Sequence, residues 1–494
     1  MPDTISKILA GTAFKRSGLI AGVLAAILFY IFADFGKEYR QAEIVAAVAL
    51  LMSVWWITEA VPLAVTSLVP LVIFPLTAVS PMKEVSQSYI NSTIFLFLGG
   101  FLIALAMERW NLHKRIALSL VTVFGTRYER IVLGFMAASG FISMWISNTA
   151  TAVMLLPIGL AVIRKISEVT SKEYSDNISK SLLLGIAYAC SIGGVATIVG
   201  TPPNLVYYRV FQSTFPAIKT FSFGEWIVEF LPFSIGLLLV VWFILTKVLF
   251  RDKIGTQIDP EIIKTEKSKL GVMVYEEKMV LFLFVSTALL WIFREELKLG
   301  FMTVPGWAGL FPKTGFIDDG TVAIFISLIL FLIPAKNKTG NLLDNTVIKS
   351  VPWDIILLFG GGFALADAFI SSKLSGFIGS SFTAFKDTPP FIIILSVALI
   401  VTFMTELTSN TATAQILLPL LASLSVEWGI NPQMLMLTAT ISASMAFMMP
   451  VATPPNAIVF SAGKLKISDM AKTGLIINFI AALAVSVMLY LKFG

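Results

Sequence analysis

Apolar residues in this chain come in long runs, with polar residues gathered in short islands between them. Runs long enough to cross or nearly cross a bilayer lie at 18–33, 42–58, 61–79, 92–107, 181–207, 226–250, 279–293, 320–335, 352–370, 433–461 and 473–491. A helix needs about 20 residues to cover a hydrocarbon core about 30 Å thick. The pattern therefore predicts about eleven transmembrane helices, with breaks inside the longest runs.

Two further stretches do not fit as ordinary spans. Residues 131–163 carry no charge and hold SNTAT (147–151) in their middle, after a 16-residue apolar arm and before a shorter one. Sixteen helical residues reach only about 24 Å. Residues 390–427 have the same form, although Glu406 interrupts them just before a second SNTAT at 409–413. Two short helices joined by a polar tip and returning to the side they entered make a re-entrant hairpin. Such irregular backbone is tolerated at membrane depth only where protein or a water-filled cavity covers it.

The two tips belong to a repeat. GGFLIALA (99–106) and GGFALADA (361–368) stand at the same 262-residue offset as the tips, and GTPPN (200–204) matches ATPPN (452–456) at an offset of 252. With the N-terminus cytoplasmic, most of the 36 Lys and Arg residues fall on the cytoplasmic side, with clusters at 109–130 and 247–278. That bias opens the first hairpin to the cytoplasm and the second to the outside, and leaves the C-terminus extracellular. The expected fold is an all-α polytopic membrane protein with two inverted-topology repeats, each containing a hairpin. A polar linker at 251–278 separates the halves.

Composition sharpens the reading. Charged residues make up 13% of the 494, against roughly 25% in soluble proteins, and the mean hydropathy is +0.87. The run at 18–33 has no small-residue cleavage pattern after it and is expected to stay as the first span of a protein of the plasma (inner) membrane. The net charge of +6 serves orientation, so no nucleic-acid partner is expected, while membrane lipid is. Cys190 and His113 are the sole cysteine and histidine, which removes disulfide frameworks and most zinc, haem and Ser-His-Asp chemistry. Trp55 and Trp56 read as interfacial anchors, and His113, in the basic stretch MERWNLHKRIAL, as a headgroup contact.

The tips carry the candidate chemistry. Hydroxyls and amides donate to carboxylate oxygens or present oxygen to a cation. A helix begins after each tip, so free backbone N–H groups and the positive end of a helix dipole face it without a buried lysine. One site built from both tips suits a small molecule with two negative ends. The TPPN prolines are expected to break their helices, leaving carbonyls unpaired around Gly200 and Ala452 to hold an alkali ion such as sodium, with Thr201 and Thr453 reaching the substrate. Glu406 and Asp367 are intramembrane acids; lacking counterparts in the other half, they read as structural rather than as proton carriers.

From about Ile44 onward, the paired SNT tips, the paired TPPN loops and phrases such as NAIVFSAGKLKISDM resemble the divalent anion/sodium symporter family of di- and tricarboxylate transporters. The resemblance implies a homodimer moving substrate by an elevator mechanism. It implies carboxylate binding by Ser147, Asn148, Thr149, Ser409, Asn410 and Thr411 beside Thr201 and Thr453. One sodium site would fall on Ser143, Ser147, Asn148 and Gly200, the other on Thr405, Thr408, Asn410 and Ala452. The division it implies is scaffold (1–107 and 279–372), arms (108–128 and 373–388) and transport parts (129–250 and 389–494). The expected function is secondary active transport of small dicarboxylates such as succinate, malate, fumarate or 2-oxoglutarate, with citrate in the same range, by sodium symport or dicarboxylate exchange. An intramembrane hydrolase using a tip hydroxyl is disfavoured because neither tip has a base nearby, and the chain is not expected to be an enzyme. An anion channel would be distinguished by its rate.

Overall fold

The computed structural model describes residues 2–125, 127–169, 171–251, 261–298, 300, 302–337, 339–381 and 388–494. Parts of both expected arms and of the expected linker lie outside the described residues. Among those described, the one sheet is a two-stranded antiparallel hairpin, Leu297 opposite Val304 and Lys298 opposite Thr303. The rest of the regular structure described is helical, and among the described residues seven helices are long and apolar enough to cross a membrane.

The two halves run through the same order of elements. In the first, a long helix (Ser92–Arg109) leads to a short helix (Leu112–Val123), a hairpin (Tyr128–Ser143 and Asn148–Val169), a broken helix (Lys172–Gly194, then Pro202–Thr214) and a long helix starting at Phe223. In the second, Trp353–Ser371 leads to Leu374–Ser381, a hairpin (Pro390–Thr405 and Asn410–Glu427), a broken helix (Pro432–Ser442, then Pro454–Ser461) and Ile467–Phe493. Each SNTAT sits at the bend of its hairpin and starts the second helix.

Several expectations need correction. The run at 61–79 is broken rather than one continuous helix: it holds two short pieces, Leu63–Thr66 and Val69–Leu76, because Pro62, Pro70 and Pro75 fix the backbone and remove donors. It still passes along the whole Arg40–Thr58 helix, Leu63 O accepting from Trp56 Nε1 at one end and Ala78 O from Gln41 Nε2 at the other. The first hairpin's second arm, expected to be the shorter, has 22 residues against 16 in the first. It runs on past its apolar stretch through Arg164, Lys165 and Glu168. The TPPN prolines start helices instead of interrupting them, occupying the first positions after Thr201 and Thr453, where a missing N–H costs nothing. The unwound backbone lies before them.

The tryptophans are not simple interfacial anchors. Trp56 is buried and donates to Leu63 O at 3.2 Å; Trp55 donates to Leu19 O at 3.2 Å on the first helix. An indole N–H away from water needs such a carbonyl. His113 likewise turns inward, its Nδ1 lying 3.0 Å from Met107 O.

Packing is closest where small residues meet. A Cβ on Gly193 would lie 2.2 Å from Gly140 O, so the first hairpin and the Lys172–Gly194 helix touch backbone to backbone. In lipid, where hydrophobicity does not drive helices together, such close approach supplies the attraction. One large core joins both hairpins and both broken helices. A smaller one gathers Val48, Met52, Phe74, Tyr89 and Leu365.

Candidate functional site

A cavity of about 810 Å³ lies where the two hairpin tips and the two TPPN loops meet. All eight residues expected to touch substrate border it: Ser147, Asn148, Thr149 and Thr201 from the first half, and Ser409, Asn410, Thr411 and Thr453 from the second. Four helices begin at this wall, at Asn148, Pro202, Asn410 and Pro454. Their N-terminal N–H groups and dipole ends supply positive potential without a formal charge. Lys15 is the one basic residue among the described lining, at a rim where Glu59 and Asp354 also sit; its Nζ lies 3.7 Å from the Glu59 carboxylate.

Behind the wall the two halves repeat one hydrogen bond. Ser143 Oγ donates to Asn148 Oδ1, and Thr405 Oγ1, equally spaced in sequence, donates to Asn410 Oδ1 at 2.7 Å. Thr405 Oγ1 also lies 3.0 Å from Ala443 O in the second unwound segment. Each amide oxygen is thus turned inward toward hydroxyl and carbonyl oxygens, and each amide nitrogen is left to donate elsewhere. Ser143 and Thr405 are fully buried, whereas Gly200, Thr408 and Ala452 reach the cavity surface. Thr408 Oγ1 lies 3.0 Å from Met404 O and 2.6 Å from Thr413 Oγ1. A Cβ on Gly194 would stand 2.9 Å from Gly200 O and 3.2 Å from Asn148 Oδ1, so only hydrogen fits beside this oxygen cluster.

The tips differ in one respect. Ser147 Oγ accepts from Ala150 N at 3.2 Å and caps its helix, while Ser409 makes no side-chain cap.

The unwound carbonyls are less free than the sequence suggests. Asn204 of the first TPPN is fully buried, and its Nδ2 donates to Thr197 O at 2.8 Å and Gly194 O at 3.3 Å. Asn456 of the second donates to Ala446 O and Met449 O, both at 3.1 Å. These asparagines, present in the motif but given no task by the sequence reading, satisfy backbone that lies in no regular helix.

Glu406 satisfies three backbone N–H groups of the second segment. Its Oε1 accepts from Phe447 N, Met448 N and Asn478 Nδ2 at 2.6, 2.8 and 2.8 Å, and its Oε2 accepts from Met449 N at 2.9 Å. Asp367 instead accepts from Ser88 Oγ at 2.8 Å and pairs with Arg209 at 3.2 Å. Both acids are engaged away from the cavity lining. The lining also includes apolar side chains, Trp56, Phe97, Phe101 and Leu358, of which only Phe101 falls in a repeated motif, GGFLIALA.

A family model described as the sodium:sulfate symporter transmembrane region matches residues 17–493. The chain is 42% identical over 480 residues to a sodium-dependent dicarboxylate transporter, SdcS, of Staphylococcus saprophyticus, covering 96% of this chain and 90% of that one. It is 42% identical over 489 residues to the protein of the same name from Staphylococcus aureus, covering 97% and 91%. Among solved structures, the YdaH transporter of Alcanivorax borkumensis shares the fold with a TM-score of 0.56 at 15% identity, over 82% of this chain and 86% of that one. MtrF of Neisseria gonorrhoeae does so with a TM-score of 0.56 at 12% identity, over 97% and 94%.

Proposed function

The chain belongs to the sodium:sulfate symporter family, the divalent anion/sodium symporters that its tips resemble, and from that premise we propose that it is a sodium-coupled carrier of small dicarboxylates. One observation carries the reading: two neutral polar tips from opposite halves border a single cavity together with four helix N-termini. The names of the relatives, sodium-dependent dicarboxylate transporters, favour sodium coupling over exchange.

The geometry suggests a division of labour. Asn148 and Asn410 turn Oδ1 toward Ser143 and Thr405, which leaves each Nδ2 to donate to a substrate carboxylate. Ser147, Thr149, Thr201, Ser409, Thr411 and Thr453 add hydroxyl donors. Sodium ions enter as co-substrates, one among Ser143, Ser147, Asn148 and Gly200, the other among Thr405, Thr408, Asn410 and Ala452. All of these positions offer neutral oxygen, the ligand class that a weakly held alkali cation takes. A dianion in a low-dielectric site is costly; two cations set behind the tips offset that cost and link ion binding to substrate binding. A C4 or C5 dicarboxylate places one charge at each tip, which the single centre of sulfate does not.

With the N-terminus cytoplasmic and the C-terminus outside the inner membrane, the rim at Lys15, Glu59 and Asp354 lies on the cytoplasmic side, so the cavity opens inward. Residues 129–250 and 389–494 then form the moving transport unit of each protomer of a homodimer. They carry the site past a scaffold of 1–107 and 279–372, with arms at 108–128 and 373–388 between them.

The test is flux of labelled succinate into vesicles with and without a sodium gradient, empty or preloaded with dicarboxylate. Sodium-driven uptake into empty vesicles is expected. Uptake that requires internal dicarboxylate and ignores sodium would replace symport by exchange, and no uptake in either case would overturn the carrier.

A further inference from the structure

The transport unit and the scaffold are tied together by polar bonds at two levels of one helix, Trp353–Ser371. At the level of the cavity, Gln415 of the second hairpin donates Nε2 to Leu358 O at 2.9 Å. Nine residues further along, about 13 Å at helical rise, Asp367 takes Arg209 Nη2 at 3.2 and 3.5 Å and Ser88 Oγ at 2.8 Å. The direction along this helix matters. Asp354, Ile355 and Leu358 line the cavity, whereas Asp367 lies beyond its lining, toward the other end of the helix. Arg209 stands on Pro202–Thr214, the helix whose N-cap, Thr201, lies in the cavity wall.

The ion pair is thus fastened to the site at one end and to the scaffold at the other. It is built to be released: the guanidinium meets Asp367 through one nitrogen, its buried Nε has no partner among the described residues, and both side chains keep partial exposure, 23% and 35%.

We infer that Arg209, Asp367 and Ser88 form a latch that seals the closed side of the carrier and holds the transport unit in the state with the cavity open at the Asp354 end. Sliding of the unit past the scaffold separates Arg209 from Asp367. The latch rests on the carrier reading above, and it makes the return to the opposite state slower than unconstrained sliding.

The test uses the full chain with Cys190→Ser and Val451→Cys. Val451 lines the cavity and is highly exposed. A membrane-impermeant maleimide is applied to inside-out and right-side-out vesicles. The parent is expected to label mainly from the side on which the cavity opens. Asp367→Asn and Arg209→Gln should each raise the share labelled from the other side by about five-fold, the scale of a partly exposed ion pair. The exchange of charges in Arg209→Asp with Asp367→Arg should restore the parent ratio. An unchanged ratio in both single variants, each purified as folded protein, overturns the latch. If succinate flux persists in those variants, the carrier reading stands without it; one-sided labelling in every variant, together with no flux in the chain without any of these substitutions, sinks both.

Discussion

Glu406 gives the most demanding test of how the second unwound segment is held. The substitution Glu406→Ala strands three backbone N–H groups, of Phe447, Met448 and Met449, and the amide of Asn478, all within 2.6–2.9 Å of the carboxylate. A buried donor left without a partner costs about 1–3 kcal/mol, so four give an upper range of about 4–12 kcal/mol. Removing a buried charge returns several kcal/mol of desolvation, and water can enter the vacated space. A net loss of about 3–5 kcal/mol follows, in line with other broken buried charge networks. Glu406→Gln keeps one acceptor oxygen and turns an NH₂ toward an N–H, so about half that loss is expected. The effect should reach the site, because the same segment carries Ala443 O, bonded by Thr405, and Ala452 on the cavity wall. Thermal unfolding in detergent, with and without sodium and succinate, measures both consequences. The midpoint should fall in the order wild type, Gln, Ala, and the rise produced by sodium should shrink in the same order. An Ala variant that melts like wild type would refute the network. So would a Gln variant of full stability whose transport has lost a pH dependence present in the wild type, since the carboxyl would then be carrying protons.

The other predictions are simpler to state. Asn148→Ala and Asn410→Ala should each lower sodium-dependent succinate uptake by at least about ten-fold, the equivalent of one charge-assisted hydrogen bond, while the protein still purifies as a folded species; normal uptake in both would end their assignment. Gly193→Ala and Gly194→Ala should separate folding from function. The first drives a methyl into Gly140 backbone at 2.2 Å and should abolish folded protein in size-exclusion profiles. The second crowds Gly200 O and Asn148 Oδ1 at 2.9 and 3.2 Å and should raise the sodium concentration needed for half-maximal uptake with the fold retained. Burial holds the His113 imidazole below its ordinary value, with Lys114 adding to the effect and the Met107 carbonyl opposing it. The folded arm therefore binds fewer protons than the unfolded chain and loses stability as pH falls through and below about 6.5. Hydrogen exchange across Leu112–Val123, corrected for intrinsic rates, should be faster at about pH 5.5 than at about pH 7.5, and His113→Gln should remove the difference.

Sequence alone determined the class of this protein and named eight polar residues that border its cavity. Apolar run length is a local property set by bilayer thickness, and the duplicated SNTAT and TPPN segments each carry their polar groups and helix starts within a few residues. Tertiary structure decided which runs are continuous helices and which carbonyls stay free. Asn204 and Asn456 fill carbonyls that proline chemistry leaves unpaired on paper, Glu406 reaches donors 41 residues away, and Asp367 finds Arg209 at a separation of 158. The apolar wall of Trp56, Phe97 and Leu358 has no motif at all. Backbone hydrogen-bond satisfaction and cavity closure depend on contacts between distant helices, and hydropathy, which reads each helix against lipid, carries no record of which helices meet.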